Sequence, residues 1–211
     1  ALADANRQTL LSYAVTEPEG NDLFIRVGES TGYGYVEIIM NGTSNQIIAI
    51  AENYNFLLDG NRHQIAFTWD DSGSNGDWSL YVDGTHRESG SGFAVGETLA
   101  GDANTGTLMF GQEQDRFNGG FNGNDTFRGT YFDARIFSDI RQFNEVLASY
   151  RSDLPYNEPT MIANWQFDQL SSDGFVLDSV NANNLELGQV AEGGFTASNP
   201  ELTFSLNENA L

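Results

Sequence analysis

Acidic and amide side chains are concentrated in the stretch GQEQDRFNGGFNGND, residues 111–125. Its carboxylates belong to Glu113, Asp115 and Asp125, and Asn122 contributes an amide. Calcium prefers several oxygen ligands, which come from carboxylates, amides, backbone carbonyls and water. An extended chain would place Glu113 and Asp115 on one side, and the glycines that follow would let Asn122 and Asp125 fold back towards them. The spacing therefore predicts a calcium site.

Two other interpretations of these residues stay open. A chain this acidic can carry a plain solvated acidic loop, with Arg116 or Arg128 offsetting part of the charge. Paired carboxylates also serve in glycoside hydrolysis. A hydrolase on a β-sandwich is expected to show three alternating acids, but Arg116 and Phe117 follow Asp115 where the third acid would come. We therefore expect the protein not to be an enzyme.

The charge of the chain narrows the classes of partner. Nine basic residues stand against 30 acidic ones, and the formal net charge is −21. Such a surface disfavours the phosphate backbone of nucleic acids and anionic membranes, and no apolar run is long enough to insert into a bilayer. The chain has no Cys, so neither a disulfide nor a thiolate metal site can form. This composition suits a secreted protein in a calcium-rich medium, and an acidic cytosolic protein is the alternative.

Short apolar runs bounded by Gly, Asn and Asp predict a series of β-strands. They cover residues 23–27, 35–40, 46–51, 63–69, 78–82, 106–110 and 129–137. Asn41-Gly42 and Asp83-Gly84 predict type I′ hairpin turns, because both central residues must take positive φ. In 63–69 one face carries His63 and three apolar side chains, so we expect His63 to be structural, whereas His86 should be exposed.

Helical spacing occurs in residues 139–150, where Ser138 or Asp139 is placed to cap the helix. The predicted apolar stripe consists of Ile140, Phe143, Val146, Leu147 and Tyr150. Many strands with one short α-helix predict an all-β fold, a two-sheet antiparallel sandwich. Residues 161–188 hold two further strand-like runs, which we expect to pair with the same sandwich.

The stretch GQEQDRFNGGFNGNDTFRG resembles the calcium-binding segment of the pentraxins. LLSYA, NDLFI, HQIAFTW, WSLYVDG and MIANWQF follow the order and approximate spacing of that family, and the match covers most of residues 10–167. The resemblance implies the laminin-G or pentraxin jelly-roll sandwich. It also implies a set of calcium ligands: the side chains of Glu113 and Asp115, the backbone carbonyl of Gln114, the oxygens of Asn122 and Asp125, and Asn21 from an upstream segment.

This chain departs from the family pattern at several positions. Gly20 stands where pentraxins have the Asp that precedes Asn21, with Glu19 or Asp22 as substitutes, and the cysteine pair of the family is absent. Asn122 and Asp125 stand where the family has Glu and Gln. We expect Asn21, Asp125 and Arg26 to contact a ligand, Arg26 through a fork onto a carboxylate. An Arg26–Glu37 pair is the alternative for that side chain.

The end of the chain suggests a setting for the domain. LTFSLNENAL looks like the first strand of a cadherin-like or immunoglobulin-like repeat of giant bacterial adhesins. The chain thereby resembles the peptide-binding domains of Gram-negative repeats-in-toxin adhesins. That resemblance implies a ligand-binding domain in 1–196, and a linker with the start of a neighbouring repeat in 197–211. It further implies a place on the bacterial cell surface, biofilm formation, and attachment to a peptide, protein or glycan on a target cell through calcium. A calcium-stiffened spacer is the alternative.

Overall fold

The fold is described here from a computed structural model of the chain. It describes residues 7–15, 20–40, 46–49, 52–97, 106–115, 120–121, 123–150, 152, 158–168, 170–188 and 201–205. For residues 20–22, 187–188 and 201–205 it describes the backbone alone. The predicted hairpin turn at Asn41-Gly42 and the predicted ligand Asn122 lie outside these ranges.

The described residues form thirteen strands and one α-helix. The strands are β1 (Gln8–Val15), β2 (Gly20–Ser30), β3 (Tyr33–Met40), β4 (Gln46–Ala49), β5 (Ile65–Asp70), β6 (Asp77–Val82), β7 (Thr85–Gly90), β8 (Gly106–Phe110), β9 (Asp133–Phe137), β10 (Met161–Gln166), β11 (Phe175–Val176), β12 (Leu185–Gly188) and β13 (Glu201–Ser205). The helix α1 is Phe143–Ser149, and short 3-10 turns span Tyr54–Leu58 and Gly123–Asp125.

The strands assemble into one large sheet and two smaller ones. The large sheet has the order β11-β12-β13-β8-β1-β2-β3-β4, the second has β5-β6-β7, and the third pairs β10 with β9. Each of these strand pairs is antiparallel. The predicted all-β antiparallel sandwich with one short helix is therefore confirmed.

Two apolar clusters hold the sheets together. The first joins the β2–β4 end of the large sheet to β5 and β6, and its centre includes Val36, Ile38 and Leu80. The second joins β1 and β8 to β10, where Trp165 is fully buried and its indole N–H donates to the carbonyl of Asn183 at 2.6 Å. Burying each such side chain stabilises the fold by about 1.5–3 kcal/mol. The clusters therefore hold the sheets that carry the loops in a fixed arrangement.

The β6–β7 hairpin confirms one predicted turn. Asp83 and Gly84 both take positive φ, 54° and 71°, as a type I′ turn requires. His63 precedes β5, and its ring nitrogens lie 2.8 Å from the Asp83 carboxylate and 3.1 Å from that of Asp59. His63 is therefore a structural residue tied to the hairpin, and His86 is exposed on β7, both as predicted.

Two predicted strands begin later in the structure than the sequence indicated. The strand predicted for 129–137 begins only at Asp133, because Tyr131 lies across the end of β1 and donates its hydroxyl to the carbonyl of Leu10 at 2.7 Å. The strand predicted for 63–69 begins at Ile65 and extends to Asp70. In both cases side-chain hydrogen bonds to another element replace sheet pairing at the start of the run.

The helix is shorter than predicted and buries less. Its N-cap is Gln142, whose backbone N–H donates to the Glu145 carboxylate at 2.8 Å, rather than Ser138 or Asp139. Ser138 instead binds the residue that precedes β10: its N–H and its hydroxyl donate to the carbonyl of Thr160 at 2.8 and 3.2 Å. Of the predicted apolar stripe Val146 is buried, but Ile140, Phe143 and Leu147 are exposed. The helix lies on the surface and contacts the sandwich along a narrow line.

The last described strand lies in an unexpected place. β13 pairs with both β8 and β12 inside the large sheet, whereas the sequence predicted this stretch to open a neighbouring repeat. Its alternating residues suit either arrangement, because strand periodicity does not specify the pairing partner. The predicted linker within residues 197–200 lies outside the described ranges. The division of the chain into domains at residue 196 therefore stays a prediction.

Candidate functional site

The loop that follows β8 is closed at its two ends. The backbone N–H of Gly111 donates to the carbonyl of Leu10 at 3.2 Å, and the N–H of Phe127 donates to the carbonyl of Gly111 at 2.8 Å. Residues 111–115 are not paired as a strand, and β8 ends at Phe110, as predicted. The loop therefore starts and ends at one point of the large sheet, beside β1.

Two buried glutamines set the direction of the acidic side chains. Gln112 and Gln114 are 1% and 0% exposed. The hydroxyl of Ser12 donates to the backbone carbonyl of Gln112 at 2.7 Å, and the Gln114 amide donates to the carbonyl of Thr107 at 2.9 Å. Because alternate side chains of an extended segment point to opposite sides, Glu113 is directed away from this polar core.

The far end of the loop returns to the same place. Asp125 is 2% exposed and ends a 3-10 turn, and the next residue, Thr126, bridges to Thr9 of β1. The Thr126 hydroxyl donates to the side-chain oxygen of Gln112 at 2.7 Å. A side-chain hydrogen bond joins Glu113 to Asp125. The fold thus brings together two of the predicted carboxylates.

One glycine allows the loop to fold back. A Cβ on Gly120 would lie 2.7 Å from the Cβ of Asp115, and Gly120 has a φ of +74°. A side chain at this position would collide with Asp115 and strain the backbone. Asp115 itself is exposed, and its charge contributes to the raised pKa of Glu113. Asp115 therefore stands at the solvent side of the Glu113–Asp125 pair.

Two arginines approach the pair. Arg7 binds Asp125 with both of its contacting nitrogens, Nε to Oδ1 at 2.7 Å and Nη2 to Oδ2 at 2.9 Å. Arg26 places Nη1 3.7 Å from the Glu113 carboxylate. Each carboxylate of the pair consequently has a guanidinium neighbour, a feature that the composition of the loop alone does not indicate.

The pKa values of the two carboxyls move apart. Burial, the hydrogen bond to Asp125 and the charges of Asp125 and Asp115 raise the pKa of Glu113 to about 7, against an opposing contribution from Arg26. Burial also raises the pKa of Asp125, but the hydrogen bonds from Arg7 and Glu113 outweigh it and leave that pKa below its usual value. As pH falls, Glu113 is therefore the first carboxyl of the pair to take up a proton, and Asp125 stays ionised to lower pH.

Arg26 is held by groups of the protein on β2 and β3. Its side chain is buried, pairs with Glu37 on the neighbouring strand and stacks over the ring of Phe24, with the guanidinium carbon 4.5 Å from the ring centroid. The Arg26–Glu37 pair is the alternative that the sequence left open. A fork onto a ligand carboxylate would require the guanidinium to leave or share Glu37, and that role of Arg26 stays a prediction.

The upstream ligand is placed by its backbone alone. Asn21 lies in β2 opposite Ala14, and Ala14 in turn pairs with Thr107 of β8. Thr107 is the residue whose carbonyl accepts from Gln114. The backbone of Asn21 thus lies two strands from the anchor of the loop. Its role as a ligand, together with that of Asn122, stays a prediction.

The residues present fit a hard cation in kind. Glu113, Asp115 and Asp125 offer carboxylate oxygens, and calcium favours such ligands. Within the ranges that the structure describes, however, no three His, Cys, Asp or Glu side chains form a group that could hold a metal. A calcium ion here would require Glu113 to lose its proton and Asp125 to be shared with, or released by, Arg7. Gln114 could add its backbone carbonyl, as the sequence predicts.

The sequence matches one protein family and several known proteins. Residues 2–177 match the Pentaxin family. The chain is 34% identical over 125 residues to "Sushi, von Willebrand factor type A, EGF and pentraxin domain-containing protein 1" of Rattus norvegicus, a match that covers 59% of this chain and 3% of that protein. It is 32% identical over 122 residues to "Pentraxin-4" of Homo sapiens, which covers 58% of this chain and 23% of that protein.

A third relative is "Neuronal pentraxin-1" of Homo sapiens, 31% identical over 121 residues, with 57% of this chain and 24% of that protein covered. The chain therefore spans a quarter or less of each of these relatives. They are animal proteins, and they do not show the predicted resemblance to bacterial repeats-in-toxin adhesins. Among the described residues no helix is long and apolar enough to cross a membrane.

Proposed function

The chain belongs to the Pentaxin family, and from this premise we propose that it is a calcium-dependent ligand-binding module. The observation that carries the proposal is the contact of Glu113 with Asp125 at the closed loop after β8. Two carboxyls 12 residues apart are held together at a partly desolvated position, where only a proton, a guanidinium or a metal ion relieves their repulsion.

Each residue of the site has a distinct task in this proposal. Glu113 and Asp125 bind the ion with their carboxylates, with Asp115, the carbonyl of Gln114, Asn122 and Asn21 as further ligands. The buried amides of Gln112 and Gln114 hold the loop in place, so less ordering is required when the ion binds. A bound calcium would supply a local positive charge on a chain of net charge −21. An anionic or hydroxyl-rich ligand could then approach on the side of the exposed Asp115.

The setting of the module is also part of the proposal. We expect an extracellular domain inside a longer protein, consistent with the names of the relatives, one of which is a multidomain protein. The ligand would be a peptide, protein or glycan on another cell. The more specific setting, a bacterial surface adhesin that supports attachment and biofilm formation, is supported only by the acidic, Cys-free composition and the sequence of the last strand.

Calcium titration tests the ion. We expect calcium to bind with the affinity of an extracellular module, with a Kd of about 0.1–1 mM. At 2 mM calcium this stabilises the fold by up to about 2 kcal/mol and raises Tm by up to about 8 °C. Glu113→Gln and Asp125→Asn should abolish both the heat of calcium binding in isothermal calorimetry and the calcium-dependent rise in Tm. Asp77→Asn, which changes an exposed acid on β6, is the matched control and should keep the rise in Tm.

Ligand screening then separates the module from its rivals. Arrays of peptides and glycans are probed in 2 mM calcium and again in excess chelator, and binding should require calcium. A structural spacer is the second candidate, favoured by the 2% exposure of Asp125, which suits an enclosed ion. Calcium stabilisation without any calcium-dependent ligand would support the spacer. Turnover on a panel of polysaccharides would contradict our expectation that the protein is not an enzyme.

A further inference from the structure

Arg7 is the most exposed of the four side chains that form the two arginine–carboxylate pairs at the candidate site. Its side chain is 22% exposed, compared with 9% for Arg26, 12% for Glu113 and 2% for Asp125. It lies directly before β1 and reaches across 118 residues of sequence to Asp125. Its two nitrogens take up both carboxylate oxygens. The guanidinium thus sits on the carboxylate that the proposed function assigns to the ion.

Arg26 differs from Arg7 in how firmly it is held. Its guanidinium bonds to Glu37, stacks on Phe24 and is buried, and Glu37 also accepts from the amide of Gln46. Moving Arg26 would leave the buried Glu37 without its counter-charge, which is a large cost. The Arg7 side chain is more exposed than that of Arg26, so it can swing towards solvent at a lower desolvation cost. Of the two arginines, Arg7 is the one that can leave.

We propose that Arg7 is an internal competitor of calcium: its guanidinium neutralises Asp125 in the ion-free protein and is displaced when the ion binds. This inference rests on the proposed function and adds that Arg7 sets the affinity of the site. Calcium approaches a carboxylate oxygen to about 2.3–2.6 Å, and both oxygens of Asp125 already accept from Arg7. A divalent ion at this carboxylate would also repel the guanidinium at short range.

The proposal distinguishes Arg7 from an ordinary stabilising ion pair. In the ion-free protein the pair keeps Asp125, a buried carboxylate, neutralised. Once calcium is bound, the ion performs the same task and Arg7 contributes nothing further. The stabilising effect of Arg7 should therefore be present without calcium and absent with saturating calcium. A purely structural pair would stabilise the fold equally in both conditions.

The test compares Arg7→Gln with Arg87→Gln. Arg87 is a suitable control because its side chain is similarly exposed, at 24%, and is paired with an acid, Glu52, away from the site. Both variants make the chain one unit more negative, so any general gain in cation affinity appears in both. Calcium affinity is measured by isothermal calorimetry on each full chain, and Tm is measured with chelator and with saturating calcium.

We expect Arg7→Gln to bind calcium about tenfold more tightly than Arg87→Gln, because one bidentate charge-assisted contact no longer competes. Its Tm should fall below that of the wild type in chelator and equal it in saturating calcium. Arg7→Lys, which keeps the charge but loses the paired geometry, should lie between the wild type and Arg7→Gln.

The outcomes separate this inference from the proposed function. If the wild type binds calcium and Arg7→Gln binds it no more tightly than Arg87→Gln, Arg7 does not compete and this inference alone fails. Weaker binding by Arg7→Gln would mean that Arg7 orients Asp125 for the ion, which also overturns it. Binding by Arg7→Gln but not by the wild type supports it. Absence of calcium binding in every variant overturns both.

Discussion

At the scale of single residues, His63 links two parts of the chain by charge. It lies between Asp83, in the β6–β7 turn, and Asp59, after the 3-10 turn Tyr54–Leu58. Burial lowers the pKa of His63, but the hydrogen bonds to Asp83 and Asp59 outweigh it and raise the net pKa above 6.5. The protonated ring therefore stabilises the folded state more than the neutral ring does.

This predicts how stability depends on pH. The contribution of His63 is complete below about pH 6.5, the value for an unfolded chain, and is lost as pH rises through the raised folded pKa. The difference in Tm between the wild type and His63→Gln should accordingly be larger at pH 5.5 than at pH 8.5. His86→Gln, which removes an exposed ring on β7, is the control and should show a small difference at both pH values. A His63→Gln difference that grows with pH would contradict the assignment.

The candidate site was predictable from the sequence only in part. Glu113 and Asp125 could be paired because they belong to one glycine-rich loop, and a loop brings nearby residues together whatever the rest of the fold does. Arg7 could not, since it lies 118 residues from Asp125 and nothing in the loop indicates a strand arriving from the N-terminus. The two buried glutamines carried a weak signal, the alternation Q-E-Q-D, which became informative once their contacts with Ser12 and Thr107 were known.

At the scale of elements, β3 and the 3-10 turn Tyr54–Leu58 approach each other at Gly34. The N–H of Gly34 donates to the side-chain oxygen of Asn53 at 2.8 Å, and Asn53 is the N-cap of that turn. A Cβ on Gly34 would lie 2.2 Å from the backbone nitrogen of Asn55 and 2.3 Å from the carbonyl carbon of Tyr54. The two elements can be this close only because the residue between them has no side chain.

Gly34→Ala should therefore destabilise the fold by about 3 kcal/mol or more, because the clash is with backbone and cannot be relieved by a rotamer change. The midpoint of urea unfolding measures the effect. Gly73→Ala is the matched control: a Cβ there would lie 3.8 Å from the side-chain nitrogen of Asn75, an ordinary contact, so the midpoint should change little. Equal midpoints for the two variants would show that the 3-10 turn shifts freely away from β3.

Which elements the sequence revealed depends on their burial. β3 and β6 are rich in buried apolar residues, and their positions were predicted closely. β7 was missed, because THRESG carries no apolar residue and is held as an edge strand by its hairpin partner. The helix was predicted too long because apolar spacing continues through Ile140, which the structure leaves on the surface. Apolar periodicity reveals an element only where one of its faces is buried, and β7 and the start of the predicted helix are exposed.

At the scale of the whole molecule, charge repulsion opposes folding. A net charge of −21 on 211 residues destabilises the compact state, and salt screens that repulsion. Between 10 and 100 mM NaCl the Debye length falls from about 30 Å to about 10 Å. We therefore expect Tm in excess chelator to rise by a few degrees over this range, without the saturation that a calcium titration would show.

A variant with fewer acids provides the control for this prediction. Asp77→Asn, Asp173→Asn and Glu186→Gln together remove three exposed negative charges. The combined variant should gain less from salt than the wild type does, because it has less repulsion to screen. An equal gain in both proteins would point to an effect of salt on apolar burial rather than on charge.

The fold class was predictable at this scale because it follows from the many short strands and the hairpin turns, which do not depend on any single contact. The order of strands in the large sheet was not, since β8 lies between β1 and β13, and neither neighbour is adjacent to it in the chain. Strand alternation states which face is buried and leaves the partner unspecified.

The closed loop after β8 affects how the sequence of such a domain can evolve. The backbone of Gly111 is hydrogen-bonded both to Leu10 and to Phe127, so these two contacts fix the ends of the loop on the sheet. Changes in the loop at positions other than the buried Gln112, Gln114 and Asp125 and the tightly packed Gly120 can alter the ligand contacts that we propose, while the sheet beneath keeps its pairing. A domain of this kind can acquire new specificities through changes in this one loop, in nature or in the laboratory.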